Sequence, residues 1–326
     1  DLADTPDFPK DHVDYGWGIP FHDEKLSFAY QNFSRSKDQT IQNEFDTFIK
    51  ENSYWLEDFA IFVALKRQNE LRPWVEWDAS LALRDKKALA QAVETYAIEI
   101  DEQKFRQWLF YRQWNALKTY ANNKGIRLFG DLPIFVAHDS SDVWANQGEY
   151  YLDEAGNPTV IAGVPPDYFS PTGQRWGNPL YRWDVMKAEG YSWWIERFKA
   201  ILSSVDYIRI DHFRGFEAYW EIPAEEETAI KGEWIKGPGS NFFQAVQDAL
   251  GELPVIAEDL GVITEGVEKL RDDFNLPGMK VLQFAWGDST NPFLPHNHPV
   301  NCVVYTGTHD NNTTAGWWQS ELDDDT

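Results

Sequence analysis

From residue 126 onward, short apolar runs alternate with helical patterns, and most of those runs end in charged side chains. The apolar runs are IRLFGDLPIFV (126–136), DYIRIDHF (206–213), LPVIAEDL (253–260), KVLQFAW (280–286) and NCVVYTGTHDN (301–311). Between them lie WWIERFKAILSSV (193–205), SNFFQAVQDALG (240–251) and TEGVEKLRDDF (264–274), which carry helical spacing. Ser240 is placed to cap the second of these helices and Gly251 to close it. This alternation predicts parallel strands joined by crossover helices. The strands are continuously apolar, as strands covered on both faces are. Polar residues gather at their C-terminal ends: Asp131, Asp211, Glu258 with Asp259, and His309 with Asp310. In a (β/α)8 TIM barrel that end carries catalysis. A doubly wound sheet would collect polar residues there too. No glycine-rich phosphate loop opens any of the helices, which disfavours a nucleotide-binding version. Five runs leave three strands of eight unaccounted for.

Upstream, residues 1–40 read as irregular, because Pro6, Pro9, Gly16, Gly18 and Pro20 interrupt any regular element. Residues 41–123 read as helices, with Asn52 or Ser53 capping a break and Gly125 following the last one. The expected organisation is a mostly helical insertion subdomain over 1–123, with an irregular N-terminal segment, and a barrel part over 124–326. Within the latter, about 137–190 is rich in Gly, Pro and aromatics. It is too long for an ordinary connection and reads as a functional loop.

Composition narrows the partners. Among 326 residues, 53 Asp and Glu face 29 Lys and Arg, a net charge of −24. So acidic a surface repels nucleic acid and anionic membranes, so neither is expected as a partner. Cys302 is the sole cysteine, set in an apolar run where a buried packing role is expected. That excludes a disulfide framework and a cysteine-based metal site. Seven scattered histidines argue against a metal cluster, so no metal and no cofactor are expected. No run of eighteen apolar residues is present, and a cytoplasmic location fits what remains. Aromatic residues reach 16%, with 16 Trp. Most serve a core, but Trp is rarely fully buried, and exposed aromatic faces are surfaces on which sugar rings stack.

Asp211, Glu258 and Asp310 lie at the ends of different strands, at intervals that fit one or two βα units of roughly 30 residues each. They are therefore expected to converge. Cleavage of a glycosidic bond needs such a set: one acid to protonate the leaving oxygen, and one carboxylate to attack or stabilise the anomeric carbon. A lone acid at a strand end is commonly a cap or an anchor, but three together beside Arg and His ask for more. Arg209 lies two residues before Asp211, so both point to one face. Its guanidinium is expected to lower the Asp211 pKa and keep a nucleophile ionised. Uncharged, His212 and His309 can hydrogen-bond sugar hydroxyls.

VDYIRIDHFRGF (205–216), LPVIAEDLG (253–261) and VVYTGTHDNNTT (303–314) resemble the shared strand-end motifs of the α-amylase clan. GVPPDYFSPTGQRWGNPLYRW (163–183) resembles the amylomaltase, or disproportionating enzyme, family of that clan, glycoside hydrolase family 77. GIRLFGDLPIFVAHDSSDVWAN (125–146) and FEAYWEIPAEEETAIKGEWIKGPG (216–239) are similar to it as well, so the likeness runs from about 105 to 318. The resemblance implies a 4-α-glucanotransferase acting on α-1,4-glucans and maltooligosaccharides. In it, Asp211 would be the nucleophile, Glu258 the general acid/base and Asp310 the carboxylate that stabilises the transition state. Arg209 and His309 would hold the sugar ring, and Asp131 would orient. Asp167, Tyr168, Phe169 and Trp176 would contact the glucan. Taken in order, the five runs become the third to seventh strands of a truncated barrel that lacks the first, second and eighth.

Two other readings compete. An α-glucan hydrolase of the same clan uses the same carboxylates with water as acceptor, and the 163–183 segment distinguishes the two. A non-catalytic glucan-binding protein on this fold would be marked by degraded acidic positions, yet all three stand.

Overall fold

The computed structural model describes residues 5–167, 170–286 and 288–321, whose contacts divide the chain into two compact units at Ala116 and Leu117. The first unit contains the helices Tyr15–Arg35, Gln39–Glu51, Ser53–Gln68 and Lys86–Thr95, and most of Ala97–Asn123. Tyr15–Arg35 corrects the expectation of an irregular start. Asp14 caps it by accepting from the Trp17 N–H at 3.0 Å, which serves one of the free first-turn donors. Further along, Tyr30 and Phe33 pack with Phe45, Phe105 and Trp108, ring centroids 4.8–5.7 Å apart. That burial outweighs the helix-breaking tendency of Gly16, Gly18 and Pro20. Asn52 makes the joint between two helices, as expected: its side chain donates to Phe48 O and accepts from Trp55 Nε1.

Among the described residues nine strands follow in the second unit: β1 (Phe129–Pro133), β2 (Val160–Val164), β3 (Gln174–Pro179), β4 (Tyr207–Asp211), β5 (Ala218–Pro223), β6 (Glu233–Lys236), β7 (Val255–Ala257), β8 (Gly278–Val281) and β9 (Cys302–Tyr305). β1, β4 and β7 form a parallel sheet in that order, and β8 pairs in parallel with β9. One hydrogen bond, Ala257 N–H to Pro277 O at 2.8 Å, connects β7 to the approach of β8. Each of these strands therefore neighbours the next parallel one in the chain. The helices Ser192–Ser204, Ser240–Leu250 and Glu265–Asp273 supply the crossovers before β4, β7 and β8, the mixed α/β pattern read from the apolar runs. Lys118 Nζ closes the first of them by donating to the carbonyls of Leu202, Ser203 and Val205.

Three local expectations need correction. The run 280–286 is strand only to Val281 and then turns into the 3-10 helix Leu282–Phe284. There the buried Gln283 amide donates to Asn312 O and its backbone N–H to Thr306 O, pulling the chain out of extended geometry. The N-cap before Ser240 is Gly239, at φ 57° and ψ −144°, a conformation that suits glycine rather than serine. Cys302 is only partly buried, its thiol donating to Pro299 O.

The segment 137–190 is structured rather than an open loop. It contains the helices Ser141–Ala145 and Trp183–Ala188, and its strands β2 and β3 join β5 and β6 in an antiparallel sheet ordered β3-β2-β5-β6. Gly163 lets β2 and β3 approach closely, since a Cβ there would lie 2.2 Å from Gln174 O. Tyr181, Trp194, Phe198, Phe213, Phe216, Phe242 and Phe243 are fully buried, in tilted and edge-to-face contacts such as Trp194–Phe216 and Trp194–Phe242. Much of the aromatic content is thus core. Among the described residues, no helix is long and apolar enough to cross a membrane.

Candidate active site

Parallel pairing places Asp131 of β1 level with Arg209 of β4. Arg209 is 8% exposed, and its guanidinium joins three carboxylates. Nε and Nη2 donate to the two oxygens of Asp131 at 2.8 Å each, Nη2 also donates to Asp211 Oδ1 at 2.8 Å, and Nη1 lies 3.9 Å from Asp310 Oδ2. A planar fork suits this bidentate geometry. Burial opposes the charge, yet Asp131 and Asp211 hold the Arg209 pKa above its ordinary value.

Asp211 corrects one electrostatic expectation. Burial among the strand ends raises its pKa above the ordinary aspartate value, while Arg209 pulls the other way and Asp131 and Asp310 add to the rise. The carboxyl still opens to solvent, with its side chain 42% exposed.

Glu258 follows β7. Its Oε2 accepts from the His212 N–H at 2.8 Å and its Oε1 from the Leu260 N–H at 2.9 Å. Burial pushes its pKa up to about 7; the Leu260 amide opposes this, Asp211 reinforces it, and the His212 amide and Arg209 oppose it. Two carboxyl groups on neighbouring strands thus have different characters, one tied to a cation and one poised near neutrality. Asp259, the next residue, points elsewhere: it accepts from the Met279 N–H at 2.7 Å and from Arg271 Nη1 at 2.5 Å, which is structural work.

His212 adopts φ 54°, the left-handed region, which turns the chain sharply after Asp211 and presents its N–H to Glu258. Burial pushes its pKa down to about 3, helped by the Arg214 charge, so the ring is neutral. Its Nε2 is buried without a hydrogen-bond partner among the described residues. Trp176 meets the ring edge-on, with centroids 4.8 Å apart, and remains 39% exposed.

His309 Nε2 lies 3.4 Å from Asp310 Oδ1, and both side chains are exposed. Asp310 is held by a turn that residue-type reasoning missed. Its N–H donates to Thr308 Oγ1, and Thr308 donates through N–H and Oγ1 to Asn311 Oδ1. The string THDN in the sequence contains this turn, but only its acids drew attention. Asp167 is exposed, its Oδ1 accepting from the Ser170 N–H at 2.8 Å. Tyr168 and Phe169 lie outside the described residues.

Arg209, Asp131, Asp211, Asp310 and His309 therefore form one cluster, with Glu258, His212 and Trp176 beside it. Asp131 and Arg209 lie within β1 and β4, Asp211 ends β4, His212, Glu258, His309 and Asp310 follow parallel strands, and Trp176 lies in β3. Such a set places an acid near neutrality beside carboxylates gathered round one cation, an arrangement able to support acid–base chemistry.

A family model described as 4-alpha-glucanotransferase, of glycoside hydrolase family 77, matches residues 2–326, and the chain belongs to that family. It is 54% identical over 320 residues to a 4-alpha-glucanotransferase of Thermus thermophilus, covering 97% of this chain and 64% of that one. It is 51% identical to a Synechocystis 4-alpha-glucanotransferase, covering 99% of this chain and 65% of the relative. A solved Streptococcus agalactiae amylomaltase, in complex with acarbose, superposes with a TM-score of 0.92 at 39% identity, over 97% of this chain and 64% of that one. The chain thus spans a little under two thirds of the length of the relatives it matches.

Proposed function

We propose that this protein is a 4-α-glucanotransferase with a retaining, double-displacement mechanism, and that its five parallel strands are the third to seventh of a (β/α)8 barrel. In this reading residues 1–123 are the helical insertion and 124–326 the barrel part, with 137–190 serving substrate binding. The observation that carries the reading is the contrast between Asp211, bound by Arg209, and Glu258, buried with a pKa of about 7.

Protonated Glu258 donates to the glycosidic oxygen of an α-1,4 bond while Asp211 attacks the anomeric carbon, giving a glycosyl–aspartate and a released glucan. Glu258, now ionised, takes the proton from an acceptor 4-hydroxyl, whose oxygen attacks the same carbon and frees Asp211. Two inversions give net retention. Asp310 stabilises the developing positive charge, with Arg209 holding it nearby. Arg209, Asp131, His309 and the neutral His212 position the sugar, with Trp176 as a stacking face and Asp167, Tyr168 and Phe169 on the segment beyond β2. The acarbose bound by the Streptococcus relative supports a glucan-like ligand. We assign no cofactor and place the protein in the cytoplasm, in keeping with its single cysteine.

Incubation with maltotriose tests this. Glucose together with maltopentaose and longer chains is the expected product pattern. Glucose and maltose alone would mean hydrolysis, and no turnover by folded protein would leave a binding role.

A further inference from the structure

We propose that Arg214 is a positioning residue that sets the place of Glu258, by tying the turn after β4 to the segment after β7. This rests on the reading of Glu258 as the general acid. The two amides that hold the Glu258 carboxyl come from different segments: His212 from the turn after β4, Leu260 from the segment after β7. Their separation sets where the carboxyl sits and how strongly it is held.

Arg214 spans that separation. It lies in the 3-10 turn Phe213–Phe216 and is 5% exposed. Its Nη1 donates to Val262 O, two residues beyond Leu260. Its Nε reaches Ala218 O at 3.5 Å, at the start of β5, and its guanidinium lies over the ring of Trp234 of β6, 3.8 Å from the centroid. A buried cation held by carbonyls and an aromatic face has few alternative places to go. Burial lowers its pKa and Glu217 counters, itself engaged by Lys236. Arg214 touches none of the reacting groups. It acts through the path of the chain.

The groups that face Glu258 are Asp211 and Arg209 from β4 and the two amides, and the amides pull its pKa down. Loosening the tie weakens both amide bonds, so the Glu258 pKa rises. The test is the titration of the Glu258 carboxyl followed by 13C NMR, assigned with Glu258→Gln. In Arg214→Met its midpoint is expected to rise by about one pH unit, with Arg214→Lys intermediate because an ammonium can still reach one carbonyl. The alkaline limb of transfer should move with it. The turnover number should fall roughly ten- to a hundredfold, while KM stays within about twofold.

An unmoved midpoint in Arg214→Met protein with unchanged near-ultraviolet circular dichroism would overturn the proposal. If the Arg214 variants do not fold, Trp234→Leu decides, since Trp234 is 40% exposed and the change removes the stack on Arg214 and the edge contact with Trp220 while leaving the hydrogen bonds of Arg214. It should shift the midpoint the same way by less, and no shift refutes the tie. A midpoint that moves while the pH profile stays fixed supports the tie and instead removes Glu258 from its role as the acid.

Discussion

At the scale of single residues, the site depends on the difference between two carboxyl groups. Asp211→Asn should abolish turnover while leaving the fold intact, because an amide cannot form the glycosyl ester; product chromatography and thermal melting check both halves. Glu258→Gln should still react slowly with a glucosyl fluoride, whose leaving group needs no acid. Mass spectrometry should then find a sugar trapped on Asp211. The pH profile should be bell-shaped. Its acid limb lies above the ordinary aspartate range, since Asp211 is raised, and its alkaline limb lies near the Glu258 value of about 7. The same value bears on stability. The folded pKa of Glu258 lies above its ordinary 4.5, so its stability contribution is present below pH 4.5 and lost as pH rises through about 7. Glu258→Gln should therefore gain relative to the parent across that window, by on the order of 1–3 kcal/mol. Urea titrations at pH 4.5 and pH 8 measure the difference, and a flat difference would contradict it. Arg209→Ala removes the one cation between Asp131, Asp211 and Asp310. The expected cost is about 3–5 kcal/mol in the same titration at pH 7.

At the scale of elements, the antiparallel sheet depends on close approach. Gly163→Ala would drive a methyl group into Gln174 O and Ile222, which should cost roughly 1–3 kcal/mol and part β2 from β3. Hydrogen exchange at the β2–β3 pairs should quicken while that of β4 and β7 is unchanged; equal loss in both sheets would refute a local effect. This sheet also shows what the sequence could and could not disclose. The parallel strands were legible because Ile208, Ile210, Val255 and Ile256 are buried and make short apolar stretches that stand out in the sequence. β2 and β3 were not, because Val160–Val164 and Gln174–Pro179 contain Gly163, Gly177 and Pro179, and the second partner of β2 is the distant β5, as in the Val160–Pro223 pair. Tyr15–Arg35 escaped notice because its stability comes from Phe45, Phe105 and Trp108, residues that no local window contains. In the site, same-face geometry disclosed Arg209 with Asp211. The grip on Glu258 is made by main-chain N–H groups and leaves no mark in residue type. The fall in the Asp211 pKa expected from its Arg neighbour was reversed by burial, a quantity fixed only by the assembled fold.

At the scale of the whole molecule, a net charge of −24 means that folding gathers like charges. Screening should relieve part of that repulsion, so the melting temperature should rise by a few degrees between 20 mM and 500 mM sodium chloride at pH 7. A melting point that falls or stays level would mean that the local ion pairs, such as Arg271 with Asp259, outweigh the general repulsion. The donors that hold Glu258, the amides of His212 and Leu260, have a further consequence for anyone who wishes to move the working pH of such a protein. Every residue but proline presents the same N–H, so exchanging the side chains at 212 and 260 leaves the grip in place. Acid strength here is inherited with the route of the chain. A library of point variants at these two positions would mostly return the parent optimum. Shifting it calls for moving the amides themselves, through a residue such as Arg214 that fixes the route of the chain or through the length of the segments after β4 and β7.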